Sequence, residues 1–239
     1  MKNEFIETAN VRKFNTICAE LESPASLIGH SMAAVTGKAG HGKSEAAKQY
    51  AVNSTAIYVP PMVGRSKASV FREIAFELAK VRPTKCDASE FVIQEEMRRD
   101  RRLIIIDEAD LLENKVLDAL RNINERYACP IMLIGEEELK GRIGSRSRLQ
   151  DRIRLNMEFG PVLQQDVAFY FKRNFSLTVD KEVSAAILRY GKGTWRRVLK
   201  FAVTVERAMI ASGVTEISLE LATMTIADLV KDEYGRKNS

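Results

Sequence analysis

Between residues 32 and 157 the chain alternates short, uniformly apolar runs with longer stretches whose apolar residues recur at helical spacing. The runs fall at 32–37, 55–60, 103–107 and 129–135, with a shorter one at 154–157. The central runs are too continuously apolar for strands with one wet face, and predict a parallel sheet covered on both sides. The intervening segments 42–52, 66–81, 88–100 and 113–127 carry a helical period, as in Val70, Ile74, Phe76 and Leu78, and predict crossover helices. Near Gly160 and Pro161 the pattern changes. Beyond it, 164–174, 180–190, 194–212 and 219–231 read as helices with no buried strand among them, with Asp180, Thr194 and Ser218 as N-cap residues. The expected organisation is an α/β domain over 1–159, including an N-terminal helical segment, and a small helical domain over 160–239 whose polar tail frays after Asp232.

Composition narrows the class. A chain of 239 residues, 45% hydrophobic and 29% charged, can bury a substantial core. Its longest apolar runs, 103–106 and 131–134, are far short of the ~20 residues that cross a bilayer, so no membrane partner is expected. The first ten residues, MKNEFIETAN, mix both charges and lack the basic and apolar regions of a secretory signal, so the cytoplasm is the expected location. Cys18, Cys86 and Cys129 are widely spaced and odd in number, which fits neither a disulfide framework nor a metal site; they are expected to be small buried or half-buried side chains. With His30 and His41 the only histidines, structural zinc is not expected. The net charge of +5 suits a polyanionic partner without requiring one.

The chemistry concentrates in two segments. In AAVTGKAGHGKSEAAKQY an apolar strand runs into Gly37, Lys38, Ala39, Gly40, His41, Gly42, Lys43 and Ser44 and then into an alanine-rich helix, the full context of a P-loop. Glycines there let backbone N–H groups curl around phosphates at a helix N-terminus, where the dipole already favours anions. Lys43 is expected to reach the β- and γ-phosphates of ATP and Ser44 to ligate Mg²⁺, while His41 reads as an exposed loop position. Downstream, RRLIIIDEADLL is a buried strand ending in two carboxylates, the Walker B pattern. Asp107 is expected to hold Mg²⁺ through water and Glu108 to act as general base on the attacking water, with Asp110 capping the helix that follows. The adjacent Arg98, Arg99, Arg101 and Arg102 read as a solvated or subunit-contacting surface.

The Asp-Glu pair, the helical domain and the basic linker between the domains resemble the AAA+ family over almost the whole chain. That resemblance implies an arginine late in the ATPase domain that reaches a neighbouring subunit's ATP. The segment GRIGSRSRLQDRI at 141–153 supplies candidates, with Arg152 matching best and Arg146 and Arg148 next. It also implies a lid arginine on the γ-phosphate, for which GKGTWRR at 191–197 offers Arg196 first and Arg197 in reserve; Trp195 is expected to pack in the core. The sequence departs from the family at the end of the fourth strand, where Glu136 takes the position of a polar γ-phosphate sensor. Within the family, FIETANVRKF at 5–14 and LIGEEELKGRI at 133–143 look like the target-selection ATPases of Mu-like phages and related transposons. The resemblance implies an ATP-dependent ring or helix of subunits on double-stranded DNA that serves a transposase. With no helix-turn-helix evident ahead of the core, DNA contacts are expected from the ATPase domain, and Arg65 and Lys67 in the loop after the second strand are the candidates, with Ser66 capping the next helix. A protein-interaction ATPase of secretion or chaperone type, and a replication loader or initiator, are the competing expectations.

Overall fold

The computed structural model describes residues 2, 4–24, 31–61 and 66–235. Five parallel strands, β1 (Met32–Thr36), β2 (Ile57–Val59), β3 (Ile104–Ile106), β4 (Ile131–Gly135) and β5 (Ile153–Glu158), form one sheet in the order β2-β3-β4-β1-β5. All of β3 and β4 is buried, as the apolar runs predicted, whereas the edge strand β5 alternates between covered and exposed positions. Side chains two apart share a sheet face. On one face Ala33, Val35, Ile105, Met132 and Ile134 pack with Phe14, Ile17 and Leu21 of α1 (Ala9–Glu22) and with Ala46 and Ala47 of α2 (Lys43–Val52). On the other, Ala34, Ile104, Ile106, Ile131 and Leu133 meet α3 (Lys67–Ala79), α4 (Cys86–Arg99), α5 (Asn114–Tyr127) and α6 (Glu137–Gly144).

Register sets up the site. Thr36 lies opposite both Gly135 and Glu158, and Ile106 lies opposite Leu133. The residues that follow these strands, Gly37, Asp107 and Glu136, therefore line the carboxyl edge of the sheet, where ligands of open α/β sheets bind. Ser66 caps α3 as expected, its side chain accepting from the Ser69 N–H at 3.3 Å. Two helices were not anticipated, α6 and the single turn α7 (Ser147–Gln150), nor was the 3₁₀ turn Ala109–Leu111.

A second unit is helical: α8 (Gln164–Phe175), α9 (Lys181–Gly191), α10 (Trp195–Ser212) and α11 (Leu219–Gly235). Its core gathers Val167, Phe171, Ile187, Val198, Phe201 and Ala222, with Phe171 stacked on Phe175 at 5.2 Å between centroids. Trp195 packs beside Tyr170, 5.7 Å between ring centroids. Asp180 and Thr194 take N-cap positions without a side-chain cap bond, whereas the Ser218 hydroxyl accepts from the Leu221 N–H at 3.1 Å. By contacts this unit comprises Met1–Thr8, Ala39–Gly42 and Gly160–Ser239, and the sheet unit Ala9–Lys38 and Lys43–Phe159. The N-terminal strap is tied in by Asn174, whose backbone oxygen accepts from Lys2 N at 2.9 Å and whose side chain exchanges hydrogen bonds with the Glu4 backbone. Cys18 and Cys129 are buried and Cys86 is half-buried, as expected; burial pushes the Cys129 thiol up to about 12. No helix among the described residues is long and apolar enough to cross a membrane.

Candidate functional site: a nucleotide-binding edge

Lys43, the first residue of α2, is 7% exposed, and its ammonium donates to the backbone oxygens of Gly37 at 2.5 Å and Lys38 at 3.0 Å. Burial pulls its pKa down, while the carboxylates of Glu136, Asp107 and Asp110 act in the opposite direction. The sheet unit thus converges one buried cation and three carboxylates at the carboxyl ends of β1, β3 and β4. Ser44 follows Lys43 into the first turn of α2 and is half-buried.

Asp107 is 5% exposed and is gripped on both oxygens: Oδ1 accepts the Glu108 N–H at 2.9 Å and Oδ2 accepts the Tyr58 hydroxyl at 2.6 Å. Burial first, then the Asp107 carboxylate, drives the Tyr58 hydroxyl far above the ordinary phenol range. Glu108 adopts left-handed backbone angles, φ 49° and ψ 40°, a conformation that costs a non-glycine residue about 1 kcal/mol or more and recurs at functional sites. Nothing in the sequence pattern pointed to Tyr58, which reads as an ordinary aromatic strand residue.

Asp110 departs from expectation. Its carboxylate does not cap the helix after β3; it accepts the Glu136 N–H at 3.1 Å, and so caps α6 after β4. The strand ends are joined further by Arg142, whose guanidinium donates to the Asp110 and Leu112 carbonyls and, at 2.8 Å, to Asn114 Oδ1. Glu136 itself is exposed at the N-cap of α6.

In the helical unit, the phosphate-loop segment Ala39–Gly42 lies against the start of α10, where the Trp195 N–H donates to Gly40 O at 2.8 Å. Gly40 has φ 80°, and a Cβ there would come within 3.1 Å of Thr194 Cβ and 3.9 Å of Arg196 Cβ. Arg196 is exposed beside this turn, whereas the reserve candidate Arg197 is held by Glu233 at 2.6 Å and the Tyr190 carbonyl at 3.1 Å. His41 is 7% exposed and not the exposed loop residue expected, because its segment is covered within the helical unit. Within the sheet unit, the turn that leaves β1 at Gly37, a buried lysine at the start of α2 and a buried carboxylate at the end of β3, with β4 lying between β3 and β1, form a donor set that suits a magnesium nucleotide: Lys43 for phosphates, Ser44 and Asp107 for the metal.

The remaining candidates are less converged. Arg152 pairs with Glu125 at 2.6 Å and Arg146 with Asp118, both on α5, while Arg148 is exposed. Lys67 is not in a loop but opens α3, with its ammonium 3.4 Å from Glu90 and 4.9 Å from the centre of the Phe71 ring. Arg65 lies outside the described residues. Arg98 and Arg99 pair with Glu95 and Glu96, both at 3.1 Å, and Arg101 and Arg102 bond the Ala128 and Leu78 carbonyls at 2.8 and 3.1 Å.

Comparison with known proteins finds relatives of the sequence and of the fold. An AAA domain is matched over residues 28–143. The ATP-dependent target DNA activator B of Escherichia phage Mu is 30% identical over 155 residues, covering 63% of this chain and 48% of that protein. The DNA transposition protein B of the Mu-like prophage FluMu of Haemophilus influenzae is 29% identical over 143 residues, covering 58% of this chain and 48% of that one. The chain thus spans about half the length of the curated relatives it matches. Among solved structures, the ORC2 protein of Aeropyrum pernix superposes with a TM-score of 0.70 at 12% identity, over 95% of this chain and 69% of that one, a likeness of fold. Strand order, helical second unit and sequence matches converge: the chain carries an AAA domain over residues 28–143 and resembles the B transposition proteins of Mu-like phages.

Proposed function

We propose that the protein is an ATP-hydrolysing target-DNA factor of transposition: it assembles on double-stranded DNA when ATP is bound and delivers that DNA to a transposase. The observation that carries the reading is the similarity to phage target DNA activators over 155 residues, beside an AAA domain matched over residues 28–143. ATP with Mg²⁺ is the substrate. Lys43 and the loop N–H groups bind and orient its phosphates, Ser44 and Asp107 hold the metal, and Glu108 takes a proton from the attacking water. Arg196 adds positive charge from the lid, and Arg152 does so from a neighbouring subunit once its tie to Glu125 is exchanged. Arg65 and Lys67 meet DNA phosphates, Lys67 by leaving Glu90.

The test is binding of random-sequence duplex DNA against salt, with ATP and with ADP. Each subunit makes few phosphate contacts, so binding should be strong only in the ATP assembly, indifferent to sequence and steeply weakened by salt. Arg65→Ala with Lys67→Ala should weaken it and flatten the salt dependence while ATP binding survives. Wild type that ignores DNA under all conditions refutes the transposition reading in favour of a protein-interaction ATPase. A double variant that binds as wild type removes only these two residues from the interface.

A further inference from the structure

The second grip on Asp107 has no counterpart in the roles assigned above. Tyr58 sits at the centre of β2, paired with Ile105 of β3. Because side chains alternate across a strand, Ile105 and Asp107 share a face, and Tyr58 reaches Asp107 as a diagonal cross-strand neighbour. Its ring packs against the cluster containing Ile105 on the α2 side of the sheet, with the Lys48 ammonium of α2 6.0 Å from its centre. At 2.6 Å from Oδ2 its hydroxyl makes a short, charge-assisted bond, and the Glu108 N–H at 2.9 Å fixes Oδ1.

With one donor on each oxygen, the carboxylate cannot rotate without breaking a bond, yet each oxygen keeps a lone pair. We propose that Tyr58 is a positioning residue for the metal ion: its hydroxyl sets the plane of the Asp107 carboxylate, so that the free lone pairs face the hydration shell of the Mg²⁺ bound with ATP. This rests on Asp107 being the metal-holding carboxylate of the proposed function. The backbone grip alone leaves Oδ2 free to swing, so losing the phenol hydroxyl weakens the metal and spares the nucleotide. Outer partners of this kind change metal affinity by about 10- to 100-fold.

The experiment measures binding of a non-hydrolysable ATP analogue to the full chain, in EDTA and across a Mg²⁺ titration, for wild type, Tyr58→Phe and Asp107→Ala. Tyr58→Phe is expected to bind the analogue as wild type does in EDTA, and to need about 10-fold more Mg²⁺ for the same gain in affinity. Asp107→Ala is expected to lose that gain. Coincident Mg²⁺ midpoints for wild type and Tyr58→Phe overturn the proposal, as does an equal loss with and without Mg²⁺, the mark of a general disturbance of the strand. Retention of the Mg²⁺ gain by Asp107→Ala instead overturns the metal assignment. Tyr58→Met, which fills the strand position without a donor, carries the same comparison if the phenylalanine variant folds poorly.

Discussion

A covered ammonium or carboxylate loses hydration and must find compensation nearby. Lys43 and Asp107 are both almost wholly covered, and each is compensated by named partners: two loop carbonyls for the lysine, a backbone N–H and a phenol for the aspartate. Glu108 is different. It is half-exposed, and its left-handed backbone is a local cost that the chain carries at the residue expected to handle a proton. Glu108→Gln keeps the shape and removes the base, so ATP should bind as before while turnover falls by roughly 10²-fold or more. Single-turnover hydrolysis beside equilibrium ATP binding separates the two effects; unchanged turnover would place the base elsewhere.

At the level of elements, the ends of β3 and β4 are stapled together. A Cβ on Gly135 would lie 2.5 Å from Asp110 Oδ1, the same carboxylate that caps α6. Gly135→Ala is therefore expected to destabilise the sheet unit by about 1–3 kcal/mol through overpacking and loss of the cap, seen as a lower urea midpoint. A midpoint equal to wild type would mean that the staple yields freely. This staple also shows where sequence reading reaches its limit. The central strands were legible because their runs are continuously apolar, and the long helices because their period repeats. Helix α6 was not, since over eight residues its buried side consists of Leu139 and Ile143 alone, and its cap comes from Asp110, 26 residues earlier. His41 and Tyr58 were misread or passed over for the same reason, because burial and a hydrogen bond 49 residues away are set by tertiary packing. The P-loop and the Asp-Glu pair were legible because their spacing is local.

For the whole molecule, the proposed assembly requires an arginine of one subunit to complete the nucleotide site of the next. Arg152 is committed to Glu125 within its own chain, an exposed pair worth at most about 1 kcal/mol and so readily exchanged for a neighbour's phosphate. Mixing Arg152→Ala, which keeps Lys43, with Lys43→Ala, which keeps Arg152, should restore part of the ATPase activity that each variant lacks alone. Mixtures that stay inactive although both variants assemble would show that Arg152 does not act across subunits.

One feature of the helical unit also gives the protein a built-in optical probe. Trp195, the chain's single tryptophan, is bonded through its backbone to Gly40 of the phosphate loop, and its indole lies beside Tyr170. Any rearrangement of the loop around phosphates tugs on the indole's surroundings, so intrinsic emission excited at the tryptophan band should change in intensity or wavelength as nucleotide is added. In Lys43→Ala the emission should stay flat at the same nucleotide concentrations. Nucleotide arrival could then be timed by stopped flow in the unlabelled protein, before any DNA or partner is present.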